Sequence, residues 1–491
     1  MRVQLKNIGI VSNSSISLNG LTVITGRNNS GKTTVGKALY SLLDAVSNLS
    51  AKARNDRYHY IVDILDDVIE EMDFFRFISR AYDMDDEELK ENPLHLSKAI
   101  LLLFSRDYRH ELPRNELEKF AQEVRNELLN LDPVSLSKNK YIQHYSHYIF
   151  KKEPSGNKLE NVISEQIEKA KNILDNLFLS LEKDPQLFDY ARESINQTLL
   201  TEFSGQIQPA SVDVESSLIE VFDEETCSFR INIVNNKVVK NDEPVFYTTP
   251  YKKTYFIDNP FIFEDLPLYR RIYRVPSEFE QDSFLNPNNI VPHNTRLKNV
   301  LRSNIQPSVL EQTIIDGSLE KIKYEIDSII PGSFEFSSNG DYYIRNGKKL
   351  KITNLATGSK MFSIIKILLE KGNLNNSTML ILDEPEAHLH PEWQNRFAEM
   401  IVLLVKELGV NILLTTHSSN FVLALDAYMR KYEIEDLTNF YRTTFNENEM
   451  VDYECINDNM NVIYQDFLQY LSEVKVLRNE CLKNTGDKND S

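Results

Sequence analysis

The pattern of hydrophobic and polar residues predicts strands in several separate parts of the chain. Residues 2–24 alternate in short runs, and Asn19-Gly20 predicts a hairpin turn between two of these runs. Strands are also predicted at 217–239, with a turn at Asn235-Asn236, and at 332–352, with turns at Asn339-Gly340 and Asn346-Gly347. The segment 253–263 is typical of a buried strand that runs into a loop at Asn259-Pro260. We expect these segments to return to one structural body.

Helical spacing of hydrophobic residues dominates the middle of the chain. It extends from about 52 to 200, and a further helical piece is predicted roughly over 262–328. These stretches are polar and acidic, and they contain no recognisable catalytic cluster. A later helix is predicted between Pro391 and Gly409, because proline favours the first turn and glycine the position just past the end.

These elements divide the chain into six segments. The polar end, "KNTGDKNDS", is expected to be disordered. The segments are 1–50, the first part of a head; 51–210, a helical insertion; 211–261, strands returning to the head; 262–330, a helical arm; 331–430, the second part of the head; and 431–491, a C-terminal tail.

Composition places the chain among globular proteins of a reducing compartment. Its 491 residues are enough for two or more domains, and the formal charge is −18. A surface this acidic repels a phosphate backbone on average, although one local basic groove is compatible with it. The three cysteines lie far apart and form neither a disulfide framework nor a zinc pattern. With no membrane-spanning run and no signal peptide in the sequence, we expect a cytoplasmic protein without membrane partners.

The stretch "TGRNNSGKTT" at 25–34 contains a complete G-x-x-x-x-G-K-[ST] pattern, from Gly26 to Thr33, between a predicted strand and a predicted helix. Its glycines let successive N–H groups point at a phosphate, and the helix N-terminus adds positive potential. Lys32 would reach the β- and γ-phosphates, and the Thr33 hydroxyl would bind Mg²⁺. The alternative is an ordinary glycine-containing surface turn.

Two later strands end in further candidate groups. In "TMLILDEPEAHLHP" (378–391), Asp383 would hold a Mg²⁺-bound water and Glu384 would polarise the attacking water; an acidic strand exit is the alternative. In "GVNILLTTHSSNF" (409–421), His417 would contact a γ-phosphate, or is simply a hydrogen-bonded histidine at the end of a strand.

Two other features allow more than one interpretation. His388 and His390 form an H-x-H pair, which is a weak metal signal without further ligands. "ITNLATGSKMFSIIKILLEKG" (352–372) is a small-residue loop that opens a helix and would suit an anion. Its alternative is an ordinary helix cap by Asn354 or Thr357.

As a set, these motifs resemble the ATP-binding-cassette (ABC) ATPases of the SMC, RecF and OLD type, in which helical insertions separate the phosphate loop from the acidic strand. "DEPEAHLHP" and "TTHSSNF" are similar to the OLD-family and PtuA-like ATPases of bacterial anti-phage systems. The resemblance covers about 1–45 and 330–425. It implies an α/β fold: a P-loop ATPase head of mixed sheet and flanking helices, with an antiparallel β subdomain and a large helical insertion.

The resemblance also implies residue roles. "LATGSK" (355–360) matches the signature segment that contacts the γ-phosphate of an opposing subunit, and Glu386–His390 match a loop at the dimer interface. ATP would thus be sandwiched between two copies in a dimer or higher homo-oligomer. The residues expected to bind ATP are Gly26, Asn29, Ser30, Gly31, Lys32, Thr33, Thr34, Thr357, Gly358 and Ser359; those expected to hold Mg²⁺ are Thr33 and Asp383; those expected to act in catalysis are Lys32, Glu384 and His417.

The chain departs from the family pattern in two places. Ala356 stands where the signature usually carries serine, so hydrolysis is expected to be weaker unless Thr357 supplies the hydroxyl. The usual glutamine loop has only one candidate counterpart, the loop with Asp258 and Asn259. The short stretch after His417 also has no room for the Toprim nuclease domain of full OLD proteins, so we expect an ATPase without its own nuclease.

Three functions are compatible with these features. The first is a sensor or scaffold ATPase of an anti-phage system that controls a separate effector, such as an HNH nuclease in the manner of PtuA or the Toprim-type effector of the PARIS system. The second is a RecF-like repair clamp that acts directly on DNA. The third is an ATP-locked scaffold with little turnover. DNA or a phage protein is a further candidate partner of the helical region.

Overall fold

The computed structural model describes most of the chain. None of its described helices has both the length and the hydropathy needed to cross a membrane. The residues that the structure describes are 1–72, 96–105, 108–109, 112–140, 142–143, 156–182, 187–224, 226–240, 249–264, 291–303, 320–337 and 340–486.

Within these ranges the chain forms the following strands and helices. The strands are β1 (Arg2–Ile8), β2 (Val11–Ser17), β3 (Leu21–Thr25), β4 (Ser217–Asp223), β5 (Thr226–Val234), β6 (Lys237–Val239), β7 (Lys253–Ile257), β8 (Ser333–Ser337), β9 (Gly340–Arg345), β10 (Lys348–Lys351), β11 (Thr378–Asp383), β12 (Asn411–Thr416), β13 (Thr438–Phe445) and β14 (Val451–Cys455). The helices are α1 (Lys32–Val46), α2 (Leu49–Glu71), α3 (Lys98–Leu103), α4 (Arg114–Asn130), α5 (Pro133–Ser137), α6 (Gly156–Glu182), α7 (Leu187–Glu202), α8 (His293–Arg302), α9 (Glu320–Ile329), α10 (Thr357–Glu370), α11 (Pro391–Leu408), α12 (Ser419–Lys431) and α13 (Asn461–Gly486).

The chain divides into two compact units. The head unit contains Met1–Leu49 and the described residues of Phe188–Gln281 and Pro287–Ser491, and the helical unit contains the described residues of Ser50–Leu187. The helical unit has its own core of aliphatic and aromatic residues, including Leu65, Leu117 and Leu174, all fully buried.

An eleven-stranded mixed sheet forms the centre of the head unit. Its strand order is β6-β5-β4-β1-β2-β14-β13-β3-β12-β11-β7. Strands β13, β3, β12, β11 and β7 are mutually parallel, while β1, β2, β4, β5 and β6 form an antiparallel region. Strands β8, β9 and β10 form a separate antiparallel sheet. The predicted α/β head with an antiparallel subdomain and many helices is therefore confirmed.

Two of the predicted hairpin turns are confirmed, one is wrong and one lies partly outside the described residues. Asn235-Asn236 and Asn346-Gly347 adopt positive φ between paired antiparallel strands, as expected for tight hairpins. Asn339 lies outside the described residues, although β8 and β9 pair as predicted. Asn19-Gly20 is not a hairpin turn, because the paired strands β14 and β13 occupy the positions between β2 and β3 in the sheet. The alternating pattern of residues 2–24 could not show that the hairpin of β13 and β14, from the far end of the chain, lies between β2 and β3.

Three segment boundaries in the structure differ from those expected from the sequence. Helix α7 lies within 51–210, but it belongs to the head unit because Ala191, Ile195 and Leu199 are fully buried in a head core. The described helices of 262–330, α8 and α9, also pack into the head unit rather than forming an arm. The segment 431–491 supplies β13 and β14 to the central sheet, while its last residues, 487–491, lie outside the described chain.

Candidate nucleotide-binding site

Four neighbouring parallel strands bring the candidate residues to one edge of the sheet. The phosphate loop follows β3, His417 follows β12, Asp383 ends β11, and Asp258 follows β7. Parallel strands place their carboxyl ends on the same side, and ligands of open α/β sheets bind at this edge. Segments that are hundreds of residues apart in sequence therefore meet in space.

Two positions of the phosphate loop can be occupied only by glycine. Gly31 has φ +70°, in the left-handed region, and a Cβ atom added there would lie 2.7 Å from Ile10 Cγ2. A Cβ atom at Gly26 would lie 1.7 Å from Thr443 Oγ1. The loop then enters α1 at Lys32, and the first N–H groups of a helix have no intrahelical acceptor. These backbone N–H groups can donate hydrogen bonds to a bound anion such as phosphate.

Lys32 is the buried cation of this loop. Its side chain is 4% exposed, and its ammonium donates to the carbonyl oxygens of Gly26 at 3.1 Å and Arg27 at 2.8 Å. The same ammonium lies 3.3 Å from Glu384 Oε1. Because a buried ammonium needs partners of opposite charge or polarity, Lys32 is held beside the loop, as phosphate binding would require.

Asp383 is bound by two hydroxyl groups. Thr33 Oγ1 donates to its Oδ2 at 2.6 Å, and Thr415 donates to its Oδ1. Burial raises the pKa of Asp383, although both hydroxyl groups act to lower it. Within the described parts of the chain no group of three or more His, Cys, Asp or Glu residues forms a metal cluster. A single carboxylate next to a hydroxyl instead fits Mg²⁺ that keeps several waters and phosphate ligands.

Glu384 has a strained backbone and lies between a lysine and a histidine. Its φ is +49°, which is unusual for a residue other than glycine. Its N–H group donates to the carbonyl oxygen of Thr415 at 3.0 Å, which holds this conformation. The carboxylate lies between Lys32 and His417, whose Nδ1 is 3.2 Å from Glu384 Oε2. The arrangement fixes a carboxylate at the edge where the phosphate loop opens.

The signature segment borders the same edge. Thr357 and Gly358 line a cavity of about 220 Å³ together with Asp258, Asp383 and Glu384. Gly358 packs closely on the loop after β11, since an added Cβ would lie 3.3 Å from the carbonyl oxygen of His388.

The cap at the start of this segment differs from the sequence-based expectation. Neither Asn354 nor Thr357 caps α10, because Ala356 is the N-cap residue and supplies no side-chain hydrogen bond. Ser359 lies outside the cavity lining, and its carbonyl oxygen accepts a hydrogen bond from Ser363 Oγ at 2.7 Å.

The H-x-H pair has structural contacts. His390 is the N-cap of α11, where its side chain accepts a hydrogen bond from the Glu392 N–H, and Pro391 follows at the first turn as predicted. The His388 ring meets the Phe261 ring edge-on, with 5.6 Å between ring centroids. Nearby Glu386 is almost fully buried and accepts a hydrogen bond from Thr416 Oγ1; burial raises its pKa.

Comparison with known proteins assigns the family. The model of the AAA ATPase domain (AAA_15) matches residues 1–422. The chain belongs to this AAA ATPase family. No curated protein sequence matches it. Similar solved structures include the SMC head domain from Thermotoga maritima, at 11% identity over 93% of this chain and 98% of that one, with a TM-score of 0.33. The Smc head domain of Pyrococcus furiosus bound to the C-terminal domain of ScpA shares 10% identity over 96% and 98%, with a TM-score of 0.30.

The sequence alone did not identify two residues that support the phosphate loop of this AAA ATPase. Tyr453 Oη donates to the Gly31 carbonyl at 2.7 Å, and Thr443 Oγ1 donates to Ser30 Oγ at 2.9 Å. Burial raises the pKa of Tyr453 well above its ordinary value. Alternation in "TNFYRTTF" indicates a strand, but no local signal indicates that this strand lies next to β3.

Proposed function

We propose that this AAA ATPase binds and hydrolyses Mg-ATP. We further propose that it acts as the switch subunit of a bacterial anti-phage complex whose effector is a separate protein, a nuclease. The observation that carries the ATPase part is the cluster at the ends of β3, β11 and β12. There Lys32, Glu384 and His417 form a continuous chain of contacts, and Thr33 is hydrogen-bonded to Asp383.

In the proposed reaction each side chain has a defined task. The N–H groups of Asn29–Thr34 and the Lys32 ammonium hold the phosphates. Glu384 orients and polarises the attacking water, and His417 contacts the γ-phosphate. Mg²⁺, when held by Thr33 and Asp383, would neutralise charge that develops on the phosphates. The distances of Lys32 and His417 to Glu384, 3.3 and 3.2 Å, support this assignment.

The switch would require two copies of the chain. Thr357, Gly358 and Ser359 stand at the start of α10, where helix N–H groups are available to a γ-phosphate from the facing copy. A nucleotide bound on both sides would stabilise the closed pair, and hydrolysis would release it. The likeness of "DEPEAHLHP" to the OLD and PtuA-like ATPases supports the defence role and the separate effector.

Co-purification tests this proposal directly. The full chain is expressed with its native neighbouring genes, in unaltered form and as Glu384→Gln, and is purified with ATP and Mg²⁺. We expect a nuclease or toxin to co-purify at fixed stoichiometry, with greater yield for the variant, because blocked hydrolysis prolongs the closed state. Recovery of the chain alone under all nucleotide conditions would contradict the effector proposal.

A repair-type function is the second candidate, and a basic hairpin supports it. Arg345 and Lys348 are paired across β9 and β10, and Lys351 lies further along the same edge strand; all three are exposed. They would contact a phosphate backbone despite the net charge of −18. DNA that stimulates hydrolysis without any partner, and loses this effect in Lys348→Glu, would favour this candidate.

The third candidate is an ATP-locked scaffold. Ala356 is exposed at the cap of α10 and has no hydroxyl group to offer a phosphate. This candidate predicts tight ATP binding with almost no phosphate release. Rapid turnover that Glu384→Gln abolishes would exclude it.

A further inference from the structure

A buried charged cluster lies in the head unit outside the sequence motifs. His293, the first residue of α8, stands between two carboxylates. Its Nδ1 is 2.6 Å from Oε2 of Glu202, the last residue of α7, and its Nε2 is 3.2 Å from Oδ2 of Asp258, just after β7. The backbone N–H group of His293 also donates to Glu202 Oε1 at 3.0 Å. One imidazole therefore connects three elements of the head.

The packing around His293 fixes the orientation of its ring. The ring centroid lies 4.5 Å from that of Phe256 and 5.8 Å from that of Tyr40. Helix α8 is also attached to α1, the helix of the phosphate loop, because Arg296 lies 3.0 Å from Asp44. The hydrogen bond between Glu202 and the Nδ1 end and the aromatic packing hold the ring, while Nε2 makes an ion contact with Asp258 without a hydrogen bond among the described residues.

The cluster carries charge at neutral pH. Burial acts to lower the pKa of His293, but the contacts with Asp258 and Glu202 raise it to about 9. Burial likewise acts to raise the pKa of Asp258, but contacts with His293 and Asn294 lower it. Buried charges are costly unless each one has a partner, and the contact between His293 and Asp258 stabilises both charged forms.

Asp258 connects this cluster to the candidate nucleotide site. It lines the same cavity as Asp383, Glu384 and Thr357. Its Oδ2 lies 3.2 Å from His293 Nε2, and its side chain is 26% exposed, so Asp258 borders the cavity. A carboxylate beside a cavity can accept hydrogen bonds from donors that enter the cavity. Mg²⁺ keeps several of its waters when it binds proteins, and such waters are strong donors.

We propose that His293, held by Glu202, is a positioning residue that directs Asp258 into the cavity, where its carboxylate accepts hydrogen bonds from waters of the Mg²⁺ that accompanies ATP. This inference rests on the proposed ATP-binding function. It assigns His293 and Glu202 a role in metal affinity, although neither contacts the nucleotide. Residues that orient the groups around a metal typically change its affinity ten- to a hundredfold when they are replaced.

The test measures metal dependence of binding rather than turnover. The full chain and its variants bind a fluorescent ATP analogue while Mg²⁺ is titrated from EDTA-treated samples. Asp258→Asn keeps the size of the side chain but removes its charge, and we expect it to raise the Mg²⁺ concentration for half-maximal binding about tenfold. His293→Gln should shift it in the same direction but less, because glutamine can contact only one of the two carboxylates. Binding in EDTA should change little in either variant.

A double variant and a matched control separate positioning from general damage. Asp258→Asn combined with His293→Gln should be no worse than Asp258→Asn alone, because His293 acts through Asp258. Asp426→Asn removes an ion-paired carboxylate of α12 that is more buried than Asp258, 9% against 26% exposed, and should leave the Mg²⁺ dependence unchanged.

The outcomes also distinguish this inference from the proposed function. Unchanged Mg²⁺ dependence in Asp258→Asn, or additive effects in the double variant, would overturn the inference while ATP binding stands. If the unaltered chain fails to bind the analogue at any Mg²⁺ concentration, both the proposed function and this inference are overturned. A tenfold shift in Asp258→Asn that is matched by the double variant supports both.

Discussion

In the head unit the Lys32 ammonium lies 3.3 Å from a carboxylate oxygen of Glu384, and in the helical unit Lys169 lies 3.3 Å from Glu165. The two distances are equal, but the environments differ. Lys32 is 4% exposed and its partner comes from a distant part of the sequence, whereas Lys169 is 52% exposed and its partner is one helical turn away. Water screens the second pair, so it contributes little to stability. Distance alone therefore does not identify a functional ion pair.

The contrast lies in where buried charge is placed. The helical unit has partly exposed ion pairs such as Arg57–Glu118 and Arg125–Asp175, but it also buries Arg109, which pairs with Asp66 at 2.7 Å. The head unit buries charge at the ends of parallel strands, where an apolar side chain would pack at lower cost. We infer that burial of charge alone does not mark function, and that the head cluster is distinguished by its position at the ends of parallel strands beside the phosphate loop.

Glu384→Gln should have the largest effect of the variants considered, and this effect is on the rate of ATP hydrolysis. Loss of the carboxylate should reduce the ATP hydrolysis rate about 10²- to 10⁴-fold, because general-base assistance has this magnitude. ATP affinity should not weaken, since the substitution removes a negative charge near the phosphates. Phosphate release and equilibrium binding measure the two quantities. Glu118→Gln, which alters a partly exposed carboxylate of the helical unit, is the control and should change neither.

The next effect is on stability and concerns the apolar core of the helical unit. Leu174→Ala should lower the free energy of unfolding by about 2–5 kcal/mol, because Leu174 is fully buried and its truncation leaves a cavity. Leu179→Ala on the same helix, at an exposed position, should stay within about 0.5 kcal/mol. Denaturant unfolding gives both values. ATP affinity that falls together with the stability of Leu174→Ala would argue against the separation of roles between the units.

The smallest effect concerns the support of the phosphate loop. Tyr453→Phe removes the hydrogen bond to the Gly31 carbonyl and should cost about 1 kcal/mol, seen as an ATP affinity about fivefold weaker. Tyr441→Phe is the matched control, because Tyr441 accepts a hydrogen bond from the Ser17 N–H at a different part of the sheet. Equal losses of ATP affinity in both variants would mean that the effect reflects general destabilisation of the sheet.

The candidate site could be predicted only where its chemistry depends on local spacing. The residues from Gly26 to Thr33 must follow one another to curl around a phosphate, and Asp383 and Glu384 must end a buried strand, so both motifs are visible in the sequence. Tyr453 and His293 contribute through strand order and helix packing instead. Their positions depend on contacts with Gly31 and Asp258, and no periodicity in the sequence encodes such contacts.

The fold shows the same limit. Alternation predicted the strands on both sides of Asn19-Gly20 but not that β14 and β13 lie between them. Helical spacing likewise predicted α7 but placed it in the insertion, because periodicity shows that a helix has an apolar face and does not show which core covers that face.

The most direct test of the account is the affinity of the full chain for Mg-ATP after two lysine substitutions. Lys32→Ala should weaken binding at least about thirtyfold, because truncation of one partner of a buried charge pair costs about 2–5 kcal/mol. Lys169→Ala, which removes a lysine at the same distance from its own carboxylate partner, should leave binding unchanged. Equal affinity for all three forms, or no binding by the unaltered chain, would contradict the claim that the strand ends of the head unit form a nucleotide site.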